Sequence, residues 1–224
     1  MQAGALTAKG IACRRGDRML FAGLDLRLEP GGALHLVGPN GTGKTSLLRV
    51  LAGLLPPAAQ CIIEWQGELA YLDGRIALDE HLPLEDALRF WRALDQSPPH
   101  PLERLGLDRL ADIPVRYLST GQRKRSGLAR LIGQQTDNWL LDEPLNGLDA
   151  EGTALVEALI AERRAAGGVV VVASHQPIAL AGAQVLDLRN YPPPLQGRGR
   201  GWGLSASRNF ESPHPNPSSE GEGL

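Results

Sequence analysis

The stretch GPNGTGKT at residues 38–45 constrains the fold more than any other part of this 224-residue chain. It follows the apolar run ALHLV at 33–37 and precedes a leucine-rich helical pattern. A strand, a glycine-rich loop and a helix in this order place backbone amides and a helix N-terminus around a phosphate. We therefore predict a nucleotide-binding loop whose contacting residues are Gly38, Pro39, Asn40, Gly41, Thr42, Gly43, Lys44, Thr45 and Ser46.

The expected chemistry of this site depends on two residues of the loop and on two carboxylates further along the chain. Lys44 is expected to reach the β and γ phosphates, and the Thr45 hydroxyl is expected to ligate Mg²⁺. In WLLDEP, Asp142 ends an apolar run and is expected in the metal shell, while Glu143 is expected to polarise the water that attacks the γ phosphate. The sequence therefore predicts ATP and Mg²⁺ as ligands and Glu143 as the catalytic base.

A third strand-like segment, VVVVASH, ends at His175. Ligands of parallel sheets collect at the carboxyl ends of the strands, so this imidazole is expected to contact the γ phosphate. We assign His175 a catalytic role beside Glu143.

Short strand-like runs alternate with helical patterns up to about residue 190, which is typical of an α/β fold with a largely parallel sheet. Buried strands are expected at 33–37, 138–141 and 169–173. The segments LTAKGIACR and LFAGLDLRLEPGG alternate apolar and polar residues and predict an antiparallel β edge. We therefore expect a mixed central sheet.

A small α-helical insertion is predicted at about 75–118. Its apolar residues stand at helical spacing from Leu84 to Leu94, before a break at Pro98 and Pro99. Phe90 and Trp91 are expected to pack the insertion against the sheet, and the alternative is that they form a docking surface.

The stretch RYLSTGQRKRSGLAR supplies a second group suited to phosphate. Ser119 and Gln122 have capping-box spacing, which predicts a helix from about residue 120 to Gly133 with free amides at its N-terminus. The basic residues that follow, Arg123, Lys124 and Arg125, are expected on a solvated or partner-facing side of this helix.

Composition limits the classes of partner. The formal charge of −2 gives no indication of nucleic acid binding, and the separated Cys13 and Cys61 fit a reduced compartment. We see no leader and no apolar run long enough to span a bilayer. Residues 191–224 are rich in Pro, Gly and Ser and are expected to be a disordered tail beyond a domain at 1–190.

Five segments in order, GPNGTGKTS, LSTGQ, LLDEP, NGLD and SH, resemble the nucleotide-binding domain of ATP-binding cassette (ABC) proteins. The resemblance implies the P-loop NTPase fold of ABC ATPases. It also implies a head-to-tail homodimer, in which the signature Leu118–Gln122 of one copy faces the γ phosphate bound by the other. Ser119, Gly121, Gln122 and Asp149 are then nucleotide contacts at the seam between the copies.

Two positions depart from the family pattern. Relatives usually carry a Gln at the hinge between sheet and helical insertion, where AYLDG places Gly74. Relatives also often stack the adenine on an aromatic residue near the start of the domain, where this chain offers Arg15, whose guanidinium plane can stack instead.

The stretch RGDRMLFAGLDLRLEPGGALHLVGPNGTGKT, followed by IIEW and ALRFW, is similar to one subgroup, the ATP-binding subunits of haem exporters in cytochrome c maturation. The resemblance implies a peripheral subunit on the cytoplasmic face of the bacterial inner membrane, bound to integral membrane subunits. The resemblance also implies that this subunit powers haem delivery or release of a haem-chaperone complex. The five histidines, at 35, 81, 100, 175 and 214, show no paired ligand spacing, so we expect no direct haem binding.

Two alternatives stay open. The first is an exporter of another substrate, since the membrane partner selects the cargo. The second is a soluble ABC ATPase acting on ribosomes or DNA. Such relatives usually carry two domains in one chain or a long coiled coil, which this chain lacks, so a membrane partner is favoured.

Overall fold

The strands of this protein form two separate sheets. A computed structural model describes residues 3–192. The strands are β1 Ala5–Arg15, β2 Arg18–Leu28, β3 Ala33–Val37, β4 Ile62–Gln66, β5 Leu69–Leu72, β6 Asn138–Asp142, β7 Val170–Ala173 and β8 Gln184–Asp187. The α-helices are α1 Lys44–Leu51, α2 Leu84–Asp95, α3 Thr120–Gly133 and α4 Ala150–Ala165.

The antiparallel sheet has the order β2-β1-β4, and the parallel sheet has the order β5-β6-β7-β3-β8. The expected α/β class, with its parallel core and its antiparallel edge, is confirmed. The mixed character arises from two sheets that pack on each other, because β1, β2 and β4 pair only among themselves in residues 3–192.

Both faces of the parallel sheet are covered. Alternate residues such as Leu140 and Val171 pack with α1 and the antiparallel sheet. Their neighbours Leu141 and Val172 pack on the other side, in a cluster with residues of α2, α3 and α4. This burial on both faces explains why the strands read as continuous apolar runs in the sequence.

The register of the parallel strands brings three chain segments to one edge. Leu36 of β3 and Asp142 of β6 both lie opposite Ala173 of the central strand β7. Residues that follow these positions therefore leave the sheet side by side. The start of the phosphate loop, Glu143 and His175 all lie within a few residues of this level.

The strand β6 begins with a buried polar residue that hydrogen-bonds to neighbouring segments. Asn138 is fully buried, and its side-chain amide donates to the carbonyls of Gln66 at 2.7 Å and Glu68 at 3.2 Å. Its Oδ1 accepts from the amide of Val169 at 3.2 Å. Asn138 therefore joins the loop between β4 and β5 to the start of β7, so β6 begins at this residue although the residue is polar.

The helical segment has its first helix where the sequence predicts it, and α2 is followed by short 3₁₀ turns at 103–105, 108–110 and 115–117. Trp91 packs inward, and its ring nitrogen donates to the carbonyl of Ala77 at 2.5 Å. The expectation is wrong for Phe90, which is 61% exposed. Phe90 directly precedes Trp91, so its side chain lies about 100° away round the helix. It therefore points away from the face that carries Leu84 and Leu88.

The helix α3 begins and ends at the predicted residues, but its basic residues do not form a solvated side. Lys124 is only 8% exposed, because it lies on the same helical face as the buried Leu128 and Leu131. Arg123 donates to the carbonyls of Leu118 and Arg116. The expectation for this basic stretch is therefore wrong at Lys124.

The predicted tail at 191–224 lies almost entirely outside the described residues, which end at Pro192. The division of the chain at residue 190 stays a prediction. Within residues 3–192, no helix is both long enough and apolar enough to cross a membrane.

Replacing Asn138 tests its role as a bridge. Asn138→Leu removes the side-chain bonds to two carbonyls and one amide, although the Glu68 carbonyl still accepts from the backbone amide of residue 138. An unpaired buried group costs about 1–3 kcal/mol. We expect the free energy of unfolding, measured in urea, to fall by about 3 kcal/mol. The exposed Asn190→Leu is the matched control and is expected to change stability by less than about 0.5 kcal/mol. Equal effects of the two substitutions would contradict the bridging role.

Candidate nucleotide site

The phosphate loop runs from Gly38 to Gly43, between β3 and α1. Gly43 caps α1 with φ 108°, and a Cβ atom at this residue would lie 3.1 Å from the ring of Phe21. Both the positive φ and the close approach require glycine here. The loop therefore packs directly on the antiparallel sheet, and the first amides of α1 face the loop interior.

Lys44 is buried, and its ammonium is held inside the loop. Nζ donates to the carbonyl of Gly38 at 2.6 Å and to that of Pro39 at 3.3 Å. The Thr42 hydroxyl also donates to the Pro39 carbonyl, at 3.0 Å. These bonds keep the loop closed around the position of an anion. Asn40 and Gly41 form the loop tip, and Thr45 and Ser46 lie in the first turn of α1.

Asp142 lies at the end of β6 with its side chain buried. The Tyr71 hydroxyl donates to its Oδ2 at 3.4 Å, and the Thr45 side chain lies nearby. Its Oδ1 has no hydrogen-bond partner in the protein. Burial raises the pKa of Asp142, and Glu143 beside it raises the pKa further.

These groups suit a hard divalent cation. Mg²⁺ prefers oxygen ligands, and Asp142 offers a buried carboxylate oxygen without a protein partner near the Thr45 hydroxyl. Asp142 and Thr45, the two predicted metal ligands, are therefore brought together at the edge of the sheet. Tyr71 was not predicted. Its pKa is raised to about 12, chiefly by burial and also by Asp142, so it stays a proton donor to the carboxylate.

Glu143 and His175 are also brought together. Nδ1 of His175 lies 2.8 Å from Oε2 of Glu143, and the backbone amide of His175 lies 3.4 Å from the same oxygen. Glu143 has φ 49°, an uncommon conformation for a residue with a side chain, and its amide donates to the carbonyl of Ala173. The unusual backbone turns the carboxylate toward β7, where His175 follows.

The signature residues form the predicted capping box at the start of α3. Ser119 Oγ accepts from the Gln122 amide at 3.3 Å, and Gln122 Oε1 accepts from the Ser119 amide at 2.8 Å. The hydroxyl proton of Ser119 is not used by this cap. A Cβ atom on Gly121 would lie 3.1 Å from the carbonyl of Gly147, so the signature lies against the loop that leads to α4.

Asp149 is the N-cap of α4, where its Oδ1 accepts from the Gly152 amide at 2.8 Å. In residues 3–192, no hydrogen bond joins Ser119, Gln122 or Asp149 to the phosphate loop. The residues predicted at the site therefore fall into two groups. Those of the loop, β6 and His175 meet at one edge, and those of the signature and Asp149 form a second surface.

The chain matches a known protein family. The family model described as "ABC transporter" matches residues 21–146, more than half of the chain. The chain belongs to the ABC transporter family.

Several curated relatives carry the name "Cytochrome c biogenesis ATP-binding export protein CcmA", and two of them illustrate the similarity. The chain is 53% identical to the protein from Novosphingobium aromaticivorans over 193 residues, covering 86% of this chain and 100% of the relative. It is 46% identical to the protein from Zymomonas mobilis over 189 residues, covering 83% and 85%. A solved structure of an ATP-binding subunit of an ABC transporter superposes with a TM-score of 0.67 at 21% identity, covering 76% and 79%, and supports the fold.

The raised pKa of Asp142 gives a prediction with a definite sign. A carboxyl whose pKa is higher in the folded chain destabilises the fold when ionised. This penalty is absent below the unfolded pKa of about 4 and complete above the folded pKa. We expect Asp142→Asn to raise the melting temperature of the nucleotide-free protein at pH 7, and to reduce the further rise that Mg²⁺-ATP produces in the wild type.

Asp187 provides the contrasting control. Hydrogen bonds from Arg189 lower the pKa of Asp187, so its ionised form favours folding. Asp187→Asn is expected to leave the melting temperature unchanged or lower at pH 7. A lower melting temperature for Asp142→Asn would contradict the account of its buried carboxylate.

Proposed function

We propose that this chain is the ATP-hydrolysing subunit of an ABC exporter in cytochrome c biogenesis, which powers haem delivery or the release of a haem-chaperone complex. The observation that carries the proposal is the match, at 53% identity over 86% of this chain and the whole length of the relative, with a protein named for export in cytochrome c biogenesis. The geometry of the site supports the ATPase part, because the loop, both carboxylates and His175 share one edge of the sheet.

Each side chain has a definite role in this proposal. The loop amides and Lys44 bind the β and γ phosphates, and Thr45 and Asp142 hold Mg²⁺, which neutralises phosphate charge when bound. Glu143 accepts a proton from the attacking water, and the terminal P–O bond to ADP breaks as the water oxygen bonds to phosphorus. His175 holds the Glu143 carboxylate at rest and is placed to contact the γ phosphate after Glu143 turns to the water.

Replacing Glu143 tests the assignment of the base. Glu143→Gln keeps the size of the side chain and cannot accept the proton. We expect ATP binding to stay within about threefold of the wild type and turnover to fall by about 10²- to 10⁴-fold. Binding is measured with a fluorescent nucleotide and turnover by phosphate release. Wild-type turnover in this variant would place the base elsewhere.

The homodimer is part of the same proposal. Ser119 retains a free hydroxyl proton, and the N-terminus of α3 favours an anion. This surface makes no hydrogen bond to the phosphate loop of its own chain in residues 3–192, and in the proposed dimer it faces the nucleotide bound by a second copy. Gln122 supports Ser119 through the cap, and Asp149 lies on the adjoining loop at the seam.

A mixing experiment tests the shared site. Lys44→Ala removes the phosphate contact and Ser119→Arg blocks the signature, so each variant alone is expected to lose nearly all ATPase activity. A mixed dimer has one of its two sites built entirely from unaltered surfaces. We expect an equimolar mixture to recover up to about a quarter of wild-type activity. No recovery at any ratio would count against a site shared between copies.

A membrane partner is proposed from the relatives' role in export, with the chain held at the cytoplasmic face of the inner membrane. Leu54, Phe90 and Leu94 are large apolar side chains that are more than half exposed. Leu54 and Ala77 line one groove on the surface. Trp91, beside Phe90, donates to the carbonyl of Ala77. These residues form a surface suited to an apolar segment of a membrane subunit. We propose no nucleic acid partner and no direct haem contact.

Affinity purification from membranes tests the partner. We expect integral membrane proteins of haem handling to co-purify with the wild-type chain. Recovery should fall at least about tenfold for Phe90→Glu, because a buried unpaired charge is costly at an apolar interface. The exposed Lys9→Glu is the control. Recovery of membrane proteins of another transport system would overturn the haem assignment and keep the transporter class.

A further inference from the structure

Lys124 is a buried cation that the chemistry described so far does not use. It lies in the second turn of α3, one turn after Ser119, and is 8% exposed. Its ammonium makes no hydrogen bond and no ion pair within 4 Å in residues 3–192. A buried lysine without a direct protein partner is unusual, and Lys124 is not among the residues with a fully enclosed, unpartnered polar atom, so its ammonium can meet water in an adjoining cavity.

The surroundings of Lys124 act on the pKa of its ammonium in opposite directions, with a net lowering. Burial lowers the pKa of its ammonium, while the carboxylates of Asp142, Glu143 and Asp73 raise it. Two of these carboxylates belong to the proposed nucleotide site. The cation therefore lies in the field of the catalytic carboxylates of its own chain without being neutralised by any of them directly.

A cavity of about 670 Å³ joins Lys124 to this site. Lys124, Glu143 and Gly74 all line the cavity. Gly74 is the hinge position where relatives usually carry a Gln, and a Cβ atom built there meets nothing within 4 Å. Gly74 therefore has no side chain to fill its part of the cavity. Besides Glu143 and Lys124, the polar side chains that line the cavity are those of Glu80, Thr120, Arg123, Asn146 and, next to Gly74, Arg75. Lys124 supplies a polar group to the same cavity from α3.

We propose that Lys124 is a positioning residue for hydrolysis, whose ammonium orients the water that Glu143 activates in the cavity left open by Gly74. This inference rests on the proposed function. A water oxygen has two lone pairs, so one accepts from Lys124 and the other attacks the terminal phosphorus. One water proton passes to Glu143, and the bond from phosphorus to the ADP oxygen breaks. The ammonium keeps its own protons throughout.

Steady-state kinetics of the full chain test this role. Lys124→Met keeps the length of the side chain and removes its donors. We expect kcat to fall by about 10- to 100-fold, the cost of a misplaced reacting group, while KM and nucleotide affinity change by less than about threefold. Lys124→Arg retains donors and is expected to keep a larger part of the activity. Lys9→Met, on an exposed lysine, is the matched control.

Rescue separates positioning from a structural role. Gly74→Gln in the Lys124→Met background supplies a polar side chain to the same space and is expected to restore at least about a third of the lost kcat, while Gly74→Met is expected to restore none. Thermal unfolding checks that each variant folds. If Lys124→Met does not fold, Gly74→Met in the wild-type background provides the test, because its apolar side chain fills the cavity and is expected to lower kcat.

Three outcomes would overturn the inference: a wild-type kcat for a folded Lys124→Met chain, a loss confined to nucleotide affinity, or rescue by Gly74→Met equal to that by Gly74→Gln. Failure of the proposed function gives a different result. In that case the wild type itself hydrolyses no ATP, or Glu143→Gln retains full turnover. Activity lost in Glu143→Gln and kept in Lys124→Met would therefore reject the role of Lys124 alone.

Discussion

The parallel pairing of β3, β7 and β6 is the constraint on which the candidate site depends. Leu36 and Asp142 lie opposite the same residue, Ala173, so the three chain segments leave the sheet at one level. A shift of one residue between β6 and β7 would turn Asp142 to the opposite face of the sheet. The apolar side chains on both faces fix the register, and the register in turn fixes which polar groups meet.

At rest, the polar groups of this edge bind one another. Lys44 donates to loop carbonyls, the Tyr71 hydroxyl donates to Asp142, and His175 contacts Glu143. These contacts reduce the cost of keeping charged groups partly buried. Nucleotide binding must exchange several of them for contacts with the ligand.

One helix connects the two surfaces that the sequence motifs define. Ser119 caps α3 and presents a hydroxyl on the surface proposed to face a second copy, while Lys124, one turn later, lines the cavity beside Glu143 of its own chain. A movement of α3 changes both positions together, since a helical turn is rigid compared with a loop. In the proposed dimer, this arrangement would provide a physical route from closure of the two copies to hydrolysis within each subunit.

The sequence predicted most of what local patterns determine. The phosphate loop, the start of α3 and the ends of β6 and β7 follow from short motifs whose flanking strands and helices are visible in the chain. The inward position of Lys124 was open to prediction from its spacing to Leu128 and Leu131, but three adjacent basic residues were treated as one exposed group. The contact between Tyr71 and Asp142 depends on the pairing of β5 with β6, which no local pattern determines.

In the proposed dimer, the phosphate loop of one copy and the signature of another enclose the same nucleotide. Cross-linking between chains of different size measures this directly, with Asn40→Cys at the exposed loop tip of one chain and Ser119→Cys in the other, both in a Cys61→Ser, Glu143→Gln background. The account predicts a mixed cross-linked dimer that forms with Mg²⁺-ATP and is lost with ADP. Cross-links that form equally without nucleotide, or equally between two Asn40→Cys chains, would contradict it.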